Sequence, residues 1–226
     1  MTETNTSGII TAAADIIAGA FNALPKRVCN QHKFSDYADY LRENLPAQAE
    51  LDLQREKPLN PAPLVSVAIA CSGASRAAVR STLEALGKQT YANFEVCVVS
   101  ELAQAGLTDY EGIPKFRLVL FNGTAHEQLK AAEKMLNGAY FLQLLPGDLP
   151  APDALHMLVL QTHANPEAEV VFADEDSVID GIRQNPIFKP DYGRDTLRSF
   201  NSIGRPMLVS KRVHTAVGGF RGRPPA

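Results

Sequence analysis

From Leu64 onward, short apolar runs rich in β-branched residues alternate with stretches of helical character, the pattern of βαβ units on a parallel sheet. The runs predict strands over Val65–Cys71, Phe94–Val99, Lys115–Phe121, Tyr140–Leu145 and Glu169–Ala173. Between them, helices are predicted over Ser75–Lys88, Thr124–Asn137 and Pro152–His163, the last opened by a proline in its first turn. The expected architecture is α/β and Rossmann-like, a mostly parallel sheet flanked by helices. In such sheets ligands bind at the carboxyl ends of the strands, so the residues that follow each run are where chemistry is to be sought.

The N-terminal part has a different rhythm. Ile9, Ile10, Ile16, Ile17, Phe21 and Leu24 recur near helical spacing until Pro25 stops them. A second helical stretch runs from Ser35, a suitable N-cap, to Arg55, with a break expected at Pro46. The cluster Pro58–Pro63 reads as a linker. Residues 1–60 are therefore expected to form a helical extension and linker, and residues 61–226 one α/β domain. A chain of 226 residues, 45% hydrophobic and 21% charged, suits one packed domain with an appendage.

No apolar run approaches the roughly 20 residues of a bilayer-spanning helix. The polar start Met1–Gly8 lacks the features of a secretory signal, which gives a cytoplasmic expectation. Of three cysteines, Cys71 and Cys97 fall inside strand-like runs, where a free thiol behaves as a small hydrophobe. Charge is graded along the chain. Residues 1–63 carry 6 basic and 8 acidic groups, residues 64–182 carry 7 and 15, and residues 183–226 carry 9 and 2. Two readings of the basic end stand side by side: it meets an anionic partner such as a phosphate, nucleotide or lipid head group, or it pairs with the acidic body.

Three strand ends offer suitable polar groups. Cys71, Ser72, Gly73, Ala74 and Ser75 form a small-residue turn into a helix, able to present backbone N–H groups to an anion or merely to turn the chain. Asp148, after Leu145-Pro-Gly147, is a lone carboxylate. It is sufficient for a divalent ion carried by a nucleoside diphosphate, and equally suited to shaping a turn. Asp174, Glu175 and Asp176 stand directly after Val170-Val-Phe172, and such crowding of like charge demands a cation or basic partner. Asp180 and Gly181 do not extend this into a calcium loop, because the alternating ligands and terminal glutamate are missing. His32, His126, His156, His163 and His214 show no metal-site spacing and read as surface or capping residues. Walker loops, nucleophile elbows and paired cysteine motifs are absent.

These strand ends lie within a longer resemblance. Pro63-Leu-Val-Ser-Val-Ala-Ile69, Ser81-Thr-Leu-Glu-Ala-Leu-Gly-Lys-Gln-Thr-Tyr91 and Asn93-Phe-Glu-Val-Cys-Val-Val99 resemble the opening of family 2 glycosyltransferases of the GT-A fold. Gly138-Ala-Tyr-Phe141, Leu144-Leu-Pro-Gly-Asp148 and Ala151-Pro-Asp-Ala-Leu155 resemble that family's metal-site strand and the helix after it. Phe172-Ala-Asp-Glu-Asp176, Pro186-Ile-Phe-Lys-Pro-Asp191, Asn201-Ser-Ile-Gly204 and Val217-Gly-Gly-Phe220 are its most specific motifs here, and the resemblance spans roughly 63–221.

The resemblance implies a nucleotide-sugar, UDP-linked, as donor and a saccharide acceptor, in surface polysaccharide synthesis. It places Cys71, Ser72, Gly73, Ser100 and Glu101 at the nucleotide and a divalent metal, Mn or Mg, at Asp148. Asp174 and Asp176 fall on the sugar and acceptor side, where either would serve as base. Leu145 and Gly147 replace the aspartates common in the family's metal motif, and Leu129 and Lys130 replace a frequent Arg-Asn pair. The family continues beyond the Gly-Gly-Phe motif, whereas this chain closes with Gly222-Arg-Pro-Pro-Ala226, so the acceptor part is expected to be missing. Against the transferase stands a second expectation, an inactive relative acting as a binding or regulatory module. A peripheral membrane or protein partner is compatible with the N-terminal stripe, and nucleic acid is not expected as a partner.

Overall fold

A computed structural model describes residues 37–101 and 113–220. The apolar stripe Ile9–Leu24 and the closing residues 221–226 lie outside the described residues. Two helices come first, α1 (Tyr37–Asn44) and α2 (Gln48–Glu56), separated near Pro46 as the sequence predicts. Then follow β1 (Val65–Ala70), α3 (Arg76–Gly87), β2 (Phe94–Ser100), β3 (Phe116–Leu120), α4 (Ala125–Glu133), β4 (Tyr140–Leu144) and α5 (Ala154–Ala164). The remainder comprises β5 (Val170–Phe172), β6 (Glu175–Ile179), β7 (Ile182–Ile187), α6 (Arg194–Ser199), β8 (Met207–Ser210) and α7 (Lys211–Ala216).

The main sheet has the order β3-β2-β1-β4-β8-β5. The first four of these strands run parallel, and β8 lies antiparallel to both β4 and β5. The fold is thus α/β and Rossmann-like, mostly parallel, with helices leading into it. Strands β1 and β2 are buried along their whole length, which is why they read as unbroken apolar runs. Period 2 divides their side chains between two cores. Val65, Val67 and Ile69 pack with Val79, Leu83 and Leu86 of α3 and Leu155, Leu158 and Val159 of α5. Ala68, Ala70, Cys97 and Val99 pack with Leu129 and Ala132 of α4, the small residues admitting the helix closely. Each fully buried leucine here contributes about 1.5–3 kcal/mol.

The helix starts are as legible as the strands. Ser75 accepts from the Ala78 N–H, and Thr124 with Glu127 forms a reciprocal capping box. Burial pushes both thiols up, Cys71 and Cys97 each to about 11, so neither is a reactive thiolate at neutral pH.

The amino-terminal edge of the sheet holds a buried polar knot. The Glu95 carboxylate accepts from Ser66 Oγ at 2.6 Å and from the Asn137 N–H at 2.6 Å, with Arg117 at 3.6 Å. Ser66 Oγ in turn accepts from the Gly138 N–H at 2.8 Å. Burial alone would raise the Glu95 pKa. The hydrogen bonds from Ser66 and Asn137 and the Arg117 charge outweigh it and hold the carboxyl below its usual range.

The carboxyl-terminal third differs from the strand pattern predicted. The fifth strand does not neighbour the fourth, because β8 is inserted between them. After Asp174, Glu175 begins a hairpin, β6–β7, turned by Asp180 and Gly181 at φ 52° and 77°. A two-residue Asp-Gly turn with both φ positive is the type I′ connection that matches strand twist. Helix α1 rests on this hairpin, Tyr37 donating to Asp176 and Tyr40 meeting Phe188 edge to face at 5.0 Å. Helix α2 is tied to the loop before β2, where Thr90 Oγ1 donates to Gln54 Oε1 at 2.6 Å.

Candidate functional site

Strands β2, β1 and β4 are adjacent and parallel, so the residues that follow them share one edge of the sheet. Ser100 and Glu101 end β2, Cys71, Ser72 and Gly73 follow β1, and Asp148 follows β4. Because β8 is antiparallel, its amino end is at the same edge, with Met207 opposite Phe172 at the end of β5. Arg205 therefore joins the edge from one side and Asp174 from the other. Every site residue expected from sequence reaches this edge or the hairpin beside it.

The β1 turn is held from behind. Cys71 continues the ladder, its N–H donating to Val99 O at 2.9 Å, and its side chain is buried. Gly73 has φ 69° with open space where a Cβ would stand. The Ser72 hydroxyl faces Glu101 at 3.4 Å, which joins the two strand ends. Behind the turn sits Gln128, fully buried on α4, accepting from the Ser72 N–H at 2.9 Å and donating to Phe121 O at 3.2 Å. Sequence reading passed over Gln128 for its neighbours Leu129 and Lys130; its signal was a polar residue on the buried stripe of an otherwise apolar helix face. Gln128→Ala leaves both backbone groups unpaired. We expect a loss of about 1–3 kcal/mol in urea unfolding and faster hydrogen exchange at the Ser72 amide.

Asp148 is fixed by two partners. Its Oδ2 accepts from the Leu145 N–H at 2.8 Å and from Arg205 Nε at 2.9 Å, and Arg205 Nη2 lies 3.4 Å from Oδ1. Arg205 was not anticipated, because it stands 57 residues away and only the antiparallel insertion of β8 brings it there. Its backbone is clamped. Asn201 Oδ1 accepts from the N–H groups of Ile203 and Gly204, each at 3.2 Å, forming the turn that leads into it. Gly204 has φ 54°, a conformation that favours glycine, and a Cβ there would approach Glu175 Oε1 to 2.5 Å, so the Glu175 carboxylate would have to give way.

Lys189 lies beneath this turn, its side chain only 1% exposed. Its Nζ donates to Arg205 O at 2.7 Å and pairs with Glu175 at 3.4 Å. Burial pulls the Lys189 pKa down, and the carboxylates of Glu175 and Asp174 oppose that pull. Glu175 and Asp176 therefore have basic side-chain partners, and Asp174 has a backbone amide. Asp174 Oδ1 accepts from the Lys189 N–H at 2.8 Å, Glu175 meets Lys189 Nζ, and Asp176 Oδ2 meets Arg183 Nε at 2.6 Å. Of the two readings of the basic end, pairing with the acidic body is the one these contacts show, Arg212 with Glu169 included.

The divalent ion implied at Asp148 does not fit the residues as they stand. Both carboxylate oxygens already face Arg205, and among the described residues no three His, Cys, Asp or Glu side chains are grouped for a metal. Nor does the Gly-Gly-Phe motif add an acid. Gly218 and Gly219 have φ 84° and 77°, and a Cβ on Gly219 would run into Glu133. His214, expected at the surface, is buried there instead, bonded to Glu133 at 2.9 Å and edge-on to Phe141 and Phe220. A depression of about 490 Å³ lined by Asn60, Pro61, Tyr140, Thr162 and His163 is at the opposite edge of the sheet and touches none of these residues.

The sheet order and the gathered strand ends define a Rossmann-like α/β domain whose polar residues converge on one carboxyl edge. Comparisons with known proteins add relatives but no matching family model. The sequence is 32% identical over 168 residues to the uncharacterized protein y4gI of Sinorhizobium fredii (strain NBRC 101917 / NGR234), covering 70% of this chain and 18% of that one. It is 26% identical over 196 residues to the O-antigen biosynthesis protein RfbC of Myxococcus xanthus, covering 83% of this chain and 15% of that one. The chain thus spans less than a fifth of either relative. Among solved structures it is similar to the mannosyltransferase PcManGT from Pyrobaculum calidifontis in complex with GDP-Man and Mn²⁺. That similarity has a TM-score of 0.46 and 16% identity over 96% of this chain and 59% of that one. Among the described residues no helix is long and apolar enough to cross a membrane.

Proposed function

We propose that this chain is the donor-binding part of a family 2 glycosyltransferase, taking a sugar from a UDP-linked donor to a saccharide acceptor in surface polysaccharide synthesis. The observation that carries this reading is the convergence of Ser72, Gly73, Ser100, Glu101, Asp148 and Asp174 on one sheet edge, from segments that resemble the family one by one. The relationship to an O-antigen biosynthesis protein supports it.

In this reading the turn Cys71–Gly73 and the Ser100–Glu101 strand end hold the nucleoside. Gln128 keeps the turn in place from behind. The sugar lies toward the hairpin, where Asp174 and Asp176 are the candidate bases. Asp174 is the better placed, since its Oδ2 accepts no hydrogen bond among the described residues, whereas Asp176 is tied to Tyr37 and Arg183. Residues 1–60 are the N-terminal extension and linker that precede the 61–226 domain. Its apolar stripe is suited to a membrane surface or a protein partner on the cytoplasmic side.

Incubation with UDP-sugars and measurement of released UDP tests the reading. We expect slow donor hydrolysis that falls about 10²-fold or more in Asp174→Asn, the usual worth of a general base. No release from any common nucleotide-sugar, together with no binding of UDP, overturns it. One observation favours a second reading, an inactive nucleotide-binding module: Asp148 and Asp176 are both already neutralised by arginines. Binding of UDP without hydrolysis selects that reading.

A further inference from the structure

We propose that Arg205 takes the place of the divalent ion, so that a nucleoside diphosphate binds at this edge against the Asp148-anchored guanidinium and needs no metal. The inference rests on the nucleotide-binding reading above and goes beyond it in naming what neutralises the diphosphate. It starts from the mismatch between Asp148 and a metal: a carboxylate already facing a guanidinium attracts a second cation poorly, and a divalent ion beside Arg205 meets like-charge repulsion.

Arg205 has the properties the role requires. A guanidinium carries five N–H donors in a planar fork, suited to paired phosphate oxygens. Two of those donors face Asp148, through Nε and Nη2. The rest, including both on Nη1, have no partner among the described residues. The side chain is 42% exposed, so these donors are open to a ligand.

Its placement is fixed rather than incidental. The buried Lys189 ammonium holds the Arg205 carbonyl, Asn201 shapes the preceding turn, and Gly204 allows the backbone to pass Glu175. Strand β8 then pairs Leu208 with Leu142, setting Arg205 over the end of β4. Guanidinium contacts to phosphate are charge-assisted and bidentate, which makes a single well-placed arginine effective.

Calorimetric titration of UDP into the full chain, in EDTA and then in Mn²⁺, tests this. For the wild type we expect affinities in the two buffers to agree within about twofold, and Arg205→Ala to weaken binding in EDTA by about tenfold or more. Arg205→Lys, which keeps charge but loses the fork, should fall between them. Wild-type binding that requires Mn²⁺ overturns the role of Arg205 while leaving the nucleotide site standing, as does an Arg205→Ala variant that binds UDP like the wild type. No UDP binding in either buffer overturns both the nucleotide site and this role. Circular dichroism checks the fold of each variant, and if Arg205→Ala does not fold, the two-buffer comparison on the wild type decides.

Discussion

Gly138→Ala is expected to lower the melting temperature by about 6–12 °C, corresponding to about 3 kcal/mol for a domain of this size. A Cβ at this position would stand 2.6 Å from Ser66 Oγ, 2.7 Å from Leu64 O and 2.8 Å from Ser66 N. Two of those atoms are backbone of the chain entering β1, so no side-chain rotation relieves the clash. The Gly138 N–H also donates to Ser66 Oγ, and any shift that makes room breaks that bond. Strand β4, which leads to Asp148, starts two residues later. Differential scanning calorimetry reads the shift, and a melting temperature within a degree or two of wild type would refute the account. Glycine is thus required at this point of the Gly138-Ala-Tyr-Phe141 motif by close approach of two strands rather than by an unusual φ.

Glu95→Ala is the second large effect, expected at about 3 kcal/mol. It removes a carboxylate whose side chain is 3% exposed and orphans the Ser66 hydroxyl and the Asn137 N–H. Glu95→Gln separates charge from shape. In the unfolded chain a glutamate ionises near about pH 4.3, and in the folded protein Glu95 is held lower. With the folded value depressed, the stabilisation from its charge is fully present above the unfolded value and is lost as pH falls through the folded one. The stability gap between wild type and Glu95→Gln should therefore be constant above about pH 5 and shrink as the pH falls below the unfolded value. Urea unfolding midpoints across that range measure it, and a gap that widens on acidification would contradict the assignment.

Much of the fold was legible because its determinants are local. The buried strands β1 and β2 announced themselves as apolar runs, and the helix starts at Ser75 and Thr124 as caps. The turn Asp180-Gly181 carried a hairpin signal, yet its flanks mix polar residues with Val178, Ile179 and Ile182 in no strict alternation, and these three are exposed, so neither period nor burial supported β6 and β7. Helix and strand ends shifted by a residue or more, as where Thr124–Asn137 became Ala125–Glu133 followed by turns. The placement of Ser72, Gly73, Glu101, Asp148 and Asp174 at the carboxyl edge or beside it was legible because each directly follows or ends an apolar strand run or its turn. Gln128, Lys189 and Arg205 were not, because each acts through a partner far away in sequence.

By itself, the sequence determined the alternation of strands and helices, the two apolar faces of the sheet and the small set of polar residues at its carboxyl edge. These follow from periodicity, capping and turn chemistry, which act over a few residues. Only the tertiary structure decided what neutralises those acids. The insertion of β8 against β4 carries Arg205 to Asp148, and the β6–β7 hairpin brings Lys189 to Glu175 and Arg183 to Asp176. Electrostatic partnership depends on distance in space, and an antiparallel strand inserted into a parallel sheet sets distances that no local pattern encodes.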